Sequence, residues 1–187
     1  MGAASITLTR HGPLALNDEP WTAPRNLNAW IERYESASIV PSEAPNEIKG
    51  WAASSMVVCS TALRCIESAR RIAPGREILA NAVYREAGLP HNLWAVPKLP
   101  PEFWALAFRL AWFCGFSAHA ESYAEAKARA RLAAEQLIAL AQAHGRVLMV
   151  GHGIVNVLIA RGLLAMGCAG PKRPATRHWG FSVYRLP

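Results

Sequence analysis

Residues 147–150 read Val-Leu-Met-Val and stop at Gly151-His152-Gly153. A run this short, apolar at every position and followed by an apolar helical stretch to about Met166, is the pattern of a strand buried on both faces. Such strands belong to parallel sheets covered by helices, and the rest of the chain repeats the alternation. Residues 6–9, Ile-Thr-Leu-Thr, read as a strand that ends at Arg10-His11-Gly12-Pro13. Trp30, Ile31 and Tyr34 predict a helix around 25–38. Pro41, Pro45 and Gly50 make 41–50 a loop. Residues 56–59 are a second strand. Ser60 and Thr61 can cap a helix whose inner face includes Leu63, Ile66 and Ala69, ended by Pro74-Gly75. Residues 78–84 are a third strand. Gly88, Pro90, Pro97, Pro100 and Pro101 make 88–101 a loop or lid. Helices follow near 102–114 and 121–143, the second with a Ser122/Glu125 capping box and a stop at Gly145. Residues 179–186 close the chain as an edge strand. The expected fold is an α/β three-layer sandwich, a mainly parallel central sheet flanked by helices. With 187 residues, one domain over 1–187 is expected, with a helical lid or insert at about 88–120.

The hydrophobic share of 52% excludes disorder as the main state. Lys and Arg number 20 against 13 Asp and Glu, a net charge of +7, and only Lys49, Lys98, Lys127 and Lys172 are lysines. An arginine excess suits planar recognition of phosphate or carboxylate. No dense basic run or aromatic-basic module points to nucleic acid, and no nucleic-acid partner is expected. Cys59, Cys65, Cys114 and Cys168 have neither CxxC nor zinc-ligand spacing, so no metal is expected and reduced, mostly buried thiols are. No signal peptide is evident and the most apolar run, 103–116, is too short to span a bilayer, which makes the cytoplasm the default location.

In a sheet of this kind the functional site gathers at the carboxyl ends of the strands. The first strand delivers Arg10 and His11, the second leads to Ser60 and Arg64, and 147–150 delivers His152 between two glycines. Two histidines and two arginines, with backbone N–H groups of the glycine turns, make an anion pocket holding a nucleophile. Gly151-x-Gly153 is not a dinucleotide loop, because Asn156 stands where a third glycine belongs.

These residues also carry a resemblance. Thr9-Arg10-His11-Gly12 after an N-terminal strand resembles the signature of the histidine phosphatase, or phosphoglycerate mutase-like, superfamily, its Arg-His-Gly motif. The stretch Cys59-Ser60-Thr61-Ala62-Leu63-Arg64-Cys65 through Ala69 is similar to that family's Ser-Ser-Pro-Leu-x-Arg-Ala-x-x-Thr-Ala. Tyr84-Arg85-Glu86 resembles its Leu-x-Glu, and the strand ending at His152-Gly153 its x-His-Gly. All four occur in the family's order over residues 6–153. The resemblance implies a phosphoglycerate mutase-like fold and a metal-independent phosphomonoesterase, of histidine acid phosphatase type and without cofactor, acting on a phosphorylated small molecule. It implies His11 as the nucleophile that becomes phosphohistidine. Arg10, Arg64 and His152, with Gly12 and Asn17, would hold the phosphoryl group, and Glu86 would exchange the proton with leaving group and water. Pro13, Cys59, Thr61 and Ala87-Gly88-Leu89-Pro90 depart from the family pattern near the substrate entrance. The alternatives are a phosphoglycerate mutase-like phosphotransferase, or a non-enzymatic phosphate- or protein-binding relic of the fold. The aromatic segment 94–116 lies where family members place substrate-covering helices. A helix apolar on all sides needs cover on both, and a homodimer through this segment is the expectation.

Overall fold

The computed structural model describes residues 4–15, 21–92, 95 and 97–187. Strands β1 (Ser5–Arg10), β2 (Met56–Cys59), β3 (Ile78–Ala80), β4 (Arg146–Gly151) and β5 (Phe181–Arg185) form one sheet in the order β3-β2-β4-β1-β5. β1, β2, β3 and β4 pair in parallel, and β5 runs antiparallel to β1 as an edge strand. The helices are α1 (Leu27–Ser36), α2 (Asn46–Ala53), α3 (Leu63–Ile72), α4 (Pro101–Phe113), α5 (Tyr123–His144) and α6 (Gly153–Ala165).

The pleat sorts side chains to two cores. Ile6, Leu8, Val58, Val147 and Met149 face α5 and α6. Val57, Cys59, Leu148 and Val150 face α2 and α3. This is the expected three-layer sandwich. α5 lies close to α6 because its inner face is mostly alanine: Ala126, Ala130, Ala133, Ala134 and Ala141 are all buried. Its capping box, Ser122 with Glu125, is formed, and Gly145 ends it at φ +79°. A third, small core lies apart from the sheet, where Leu27 and Trp30 of α1 meet Trp104 and Phe108 of α4.

Four expectations give way. Residues 46–50 are not loop but the start of α2, whose N-cap is Pro45; a proline's fixed φ ends a helix from inside yet starts one without penalty. The third strand spans only Ile78–Ala80, because Asn81 accepts a bond from Val83 N–H and turns the chain into a 3₁₀ turn at Ala82–Tyr84. α3 is capped by neither Ser60 nor Thr61: its N-cap is Ala62, without a side-chain bond. Its inner face is also rotated from the expected one, with Leu63 43% exposed and Arg64 2%.

Candidate active site

β1, β2 and β4 all end on one side of the sheet, and the residues following them meet there. His11 and His152 approach edge to face, with ring centroids 5.3 Å apart. Both are buried, as are Ser60 and Arg64. A carbonyl only accepts, so the 2.7 Å contact of His11 Nδ1 with Gly12 O is a bond donated by the ring. This leaves the His11 Nε2 lone pair unprotonated. Arg64 Nε donates to His152 Nδ1 at 3.3 Å, so His152 carries its proton on Nε2, which donates to Ser60 Oγ at 3.0 Å.

The two arginines are held by neutral groups. Arg64 Nη1 donates to the carbonyls of Tyr34 and Glu35 at the end of α1, and its guanidinium lies over the Tyr34 ring at 5.2 Å. Arg10 Nη1 donates to Thr176 O at 2.7 Å, while its Nε is buried without a hydrogen-bond partner. Among the described residues neither arginine pairs with a carboxylate. Glu86 is engaged otherwise. Its Oε1 accepts from Val155 N–H (2.9 Å) and Ala87 N–H (3.0 Å), and its Oε2 from Ile154 N–H (3.2 Å). A carboxylate thus occupies the α6 N-terminus, where orphan N–H groups and the helix dipole favour negative charge. Gly12 N–H is also taken, by Ser68 Oγ at 3.0 Å. Asn17 lies outside the described residues, as does Trp94.

The segment around His178 and Trp179 closes the site, and no residue spacing in the sequence announces it. His178 Nδ1 donates to His11 O at 3.1 Å, its ring 5.2 Å from that of His11. Trp179 follows at φ +60° and packs on Gly12 so closely that a β-carbon there would lie 2.4 Å from the indole. Gly12 therefore has to be glycine. No spacing motif links positions 11 and 178; the usable signal was a His-Trp-Gly turn just before a strand that could pair with β1.

Burial sets the charge state of both central histidines. It pushes the His11 pKa down to about 3, with Arg64 and Arg10 adding to the effect and the Gly12 carbonyl opposing it. The His152 pKa is also far below the ordinary value, chiefly through burial and then Arg64. The guanidiniums are the lesser cause, not the main one. Cys65 Sγ lies 3.4 Å from His152 Nε2, but burial pushes its thiol pKa up, so it stays protonated and is no rival nucleophile. Unfolded histidines titrate near 6.5, so below that pH the unfolded chain takes up protons that the folded site refuses. Stability is accordingly fully present above about pH 6.5 and falls as the pH drops toward 3, by up to ~1.4 kcal/mol per pH unit for each histidine. Urea midpoints between pH 7 and pH 4 should fall more steeply for the wild type than for His11→Gln. Equal slopes would contradict the buried, neutral His11.

Two cavities open on this cluster. One, of about 430 Å³, has polar walls that include Ser60, Thr61 and Glu121; the other, of about 540 Å³, runs between α1 and α4. Both are lined by Arg64 and Glu86. Among the described residues no three His, Cys, Asp or Glu side chains gather as metal ligands, and no helix is long and apolar enough to cross a membrane.

The comparisons agree with this architecture. No curated protein matches the chain. Among solved structures, an open-reading-frame product of Mycobacterium tuberculosis superposes with a TM-score of 0.61 at 15% identity, over 96% of this chain and 89% of that one. A mycobacterial glucosyl-3-phosphoglycerate phosphatase in complex with VO3 gives 0.58 at 18%, over 88% and 83%. A phosphoserine phosphatase mutant of Entamoeba histolytica in complex with phosphoserine gives 0.58 at 16%, over 96% and 89%. The family model of the histidine phosphatase superfamily (branch 1) matches residues 42–186, a span that holds Arg64, Glu86 and His152 and begins after His11. The chain belongs to the histidine phosphatase superfamily, branch 1.

Proposed function

We propose that this protein is a phosphomonoesterase that hydrolyses a small phosphorylated substrate through a phosphohistidine on His11. The observation that carries the reading is two guanidiniums, the buried Arg64 and the half-buried Arg10 with its buried Nε, held by neutral groups beside a neutral imidazole. Buried positive charge without a counter-charge is costly, and a phosphate dianion is the partner that removes the cost. The unpaired Arg10 Nε supplies a donor for one of its oxygens.

The chemistry divides among these groups. His11 Nε2 attacks phosphorus in line, the N–P bond forms, and the bond to the leaving oxygen breaks. The ring that results is cationic, and Gly12 O, already bonded to Nδ1–H, stabilises it. Arg10 and Arg64 hold the equatorial oxygens, where transition-state charge spreads, and His152, bonded to Arg64 and Ser60, fixes the Arg64 guanidinium in place. Glu86, a carboxylate at rest, takes up a proton as the phosphate ester binds beside it and gives that proton to the leaving oxygen. Its Oε2, with a single N–H bond, is the oxygen with room for that proton. Water then attacks phosphorus, Glu86 takes back a proton, and the N–P electron pair returns to Nε2 with release of phosphate.

The direct test is a rapid quench with a ³²P-labelled phosphomonoester. A label on the protein that survives base and is lost in acid supports the reading; steady phosphate release with no protein-bound label overturns it. Glu86→Gln separates the proton transfer from the rest. General acid catalysis contributes about 10²–10⁴-fold, most for poor leaving groups. Hydrolysis of an alkyl phosphate should therefore fall by that factor, and of p-nitrophenyl phosphate by much less. Equal losses would remove Glu86 from this role and leave it as the cap of α6.

A further inference from the structure

From the two arginines a substrate has two ways to extend, and the cavity walls differ in kind. The polar cavity touches Arg64, Glu86 and His152 but not Arg10. The cavity between α1 and α4 touches Arg10 as well as Arg64 and Glu86, so of the two it is the one open to a phosphoryl group held by both arginines. Beyond those charged groups its walls are mostly apolar, Trp30, Ile31 and Tyr34 of α1, Leu89, and Ala105 and Leu106 of α4, with Thr176 and the exposed Glu35 and Glu102 also lining it. Trp30 and Tyr34 are stacked, with ring centroids 5.3 Å apart, and the Tyr34 ring continues onto the Arg64 guanidinium. Among the described residues the one other cation in the wall, Arg109, is already used: it donates to Ala87 O and Gly88 O and lies over the Trp112 ring at 4.8 Å.

We infer that the α1–α4 cavity is a leaving-group pocket that selects phosphomonoesters of apolar alcohols, aryl or medium-chain alkyl, over those of sugars, glycerol or amino acids. The inference rests on the phosphomonoesterase reading and adds the substrate class to it. Its physical basis is asymmetric. An apolar alcohol sheds water against the rings and aliphatic chains of this wall. A polyol placed there sets most of its hydroxyls against carbon, because the polar partners in the wall, Thr176 and the exposed Glu35 and Glu102, are few. About 540 Å³ is ample for a naphthyl or hexyl group.

The test compares n-hexyl phosphate with glycerol 3-phosphate, two primary alkyl esters of similar intrinsic reactivity, and uses p-nitrophenyl phosphate as a general reporter. The expected kcat/KM for hexyl phosphate is about 10- to 100-fold higher, in line with the value of a few buried methylenes. Leu89→Asn should remove about tenfold of that preference, chiefly by raising the KM for hexyl phosphate. Leu106→Asn, at a position 61% exposed and so without risk to folding, should shift the preference in the same direction. Equal kcat/KM for the two alkyl esters, with p-nitrophenyl phosphate hydrolysed, overturns the pocket and leaves the phosphatase reading standing. Variants that slow both esters alike overturn it as well. No phosphate release from any of the three overturns the phosphatase reading, and this inference with it.

Discussion

Replacing His11 with alanine is expected to reduce phosphate release by roughly 10⁴-fold or more and to abolish any protein-bound label, since loss of a nucleophile leaves only binding and electrostatic help. The fold should survive. The His11 ring makes one hydrogen bond, to the neighbouring Gly12 carbonyl, and the backbone bonds that fix its position, N–H to Gly151 O and O from His178, do not need the imidazole. Near-native circular dichroism with residual activity above about one part in a thousand of wild type would rule out the covalent mechanism, given the size of effect that loss of a nucleophile carries.

The second large effect concerns Arg64 and runs in opposite directions for activity and stability. Arg64→Met removes the guanidinium that bridges His152 and the α1 carbonyls. Loss of a transition-state arginine is worth on the order of 10³–10⁵ in turnover. The same change takes an uncompensated charge out of a buried place and puts an apolar chain of similar length there, an exchange that is often neutral or stabilising. The variant should therefore melt no lower than the wild type in phosphate-free buffer. Added phosphate or vanadate should raise the wild-type Tm and leave that of the variant unmoved. A wild type indifferent to both anions, or an Arg64→Met that keeps turnover, would refute the placement of the phosphoryl group. Arg64→Lys should rescue little, because a point charge replaces neither the fork toward two carbonyls nor the bond to His152.

The strands were legible because a buried strand declares itself by an unbroken apolar run, as at 147–150. The capping box of α5 was equally plain, since it depends on two residues three apart. What escaped reading was governed by distant contacts. Arg64 reads as solvated in any hydrophobic pattern, yet it is among the most buried residues of α3, because the carbonyl end of α1 and His152 receive it. That one charge rotates the expected inner face of the helix. Pro45 looked like a loop residue because nothing local says which side of a proline a helix lies on. The motif residues converge as a topology with three neighbouring strand ends requires. By contrast, the engagement of Glu86 with the α6 N-terminus spans 68 residues, and the contact of His178 with His11 spans 167. No periodicity encodes either.

The position of β1 has a consequence for biosynthesis. β1 is made well before its two neighbours in the sheet, β4 and β5. At the usual ribosomal pace of about 5–20 residues per second, its edges wait roughly seven to thirty seconds for β4, and a little longer for β5. During that interval the apolar strand that leads to His11 has both edges open, the condition that invites pairing with another nascent chain. β2 and β3 can meet earlier, with α2 and α3 beside them. A chain halted before β5 would already possess β4 and a nearly complete sheet, but it would lack the turn that rests on His11 and would present β1 as a bare edge. Ribosome-bound chains stopped ahead of residue 181 should therefore be inactive and should bind chaperones, and activity should appear only when the last strand clears the exit tunnel.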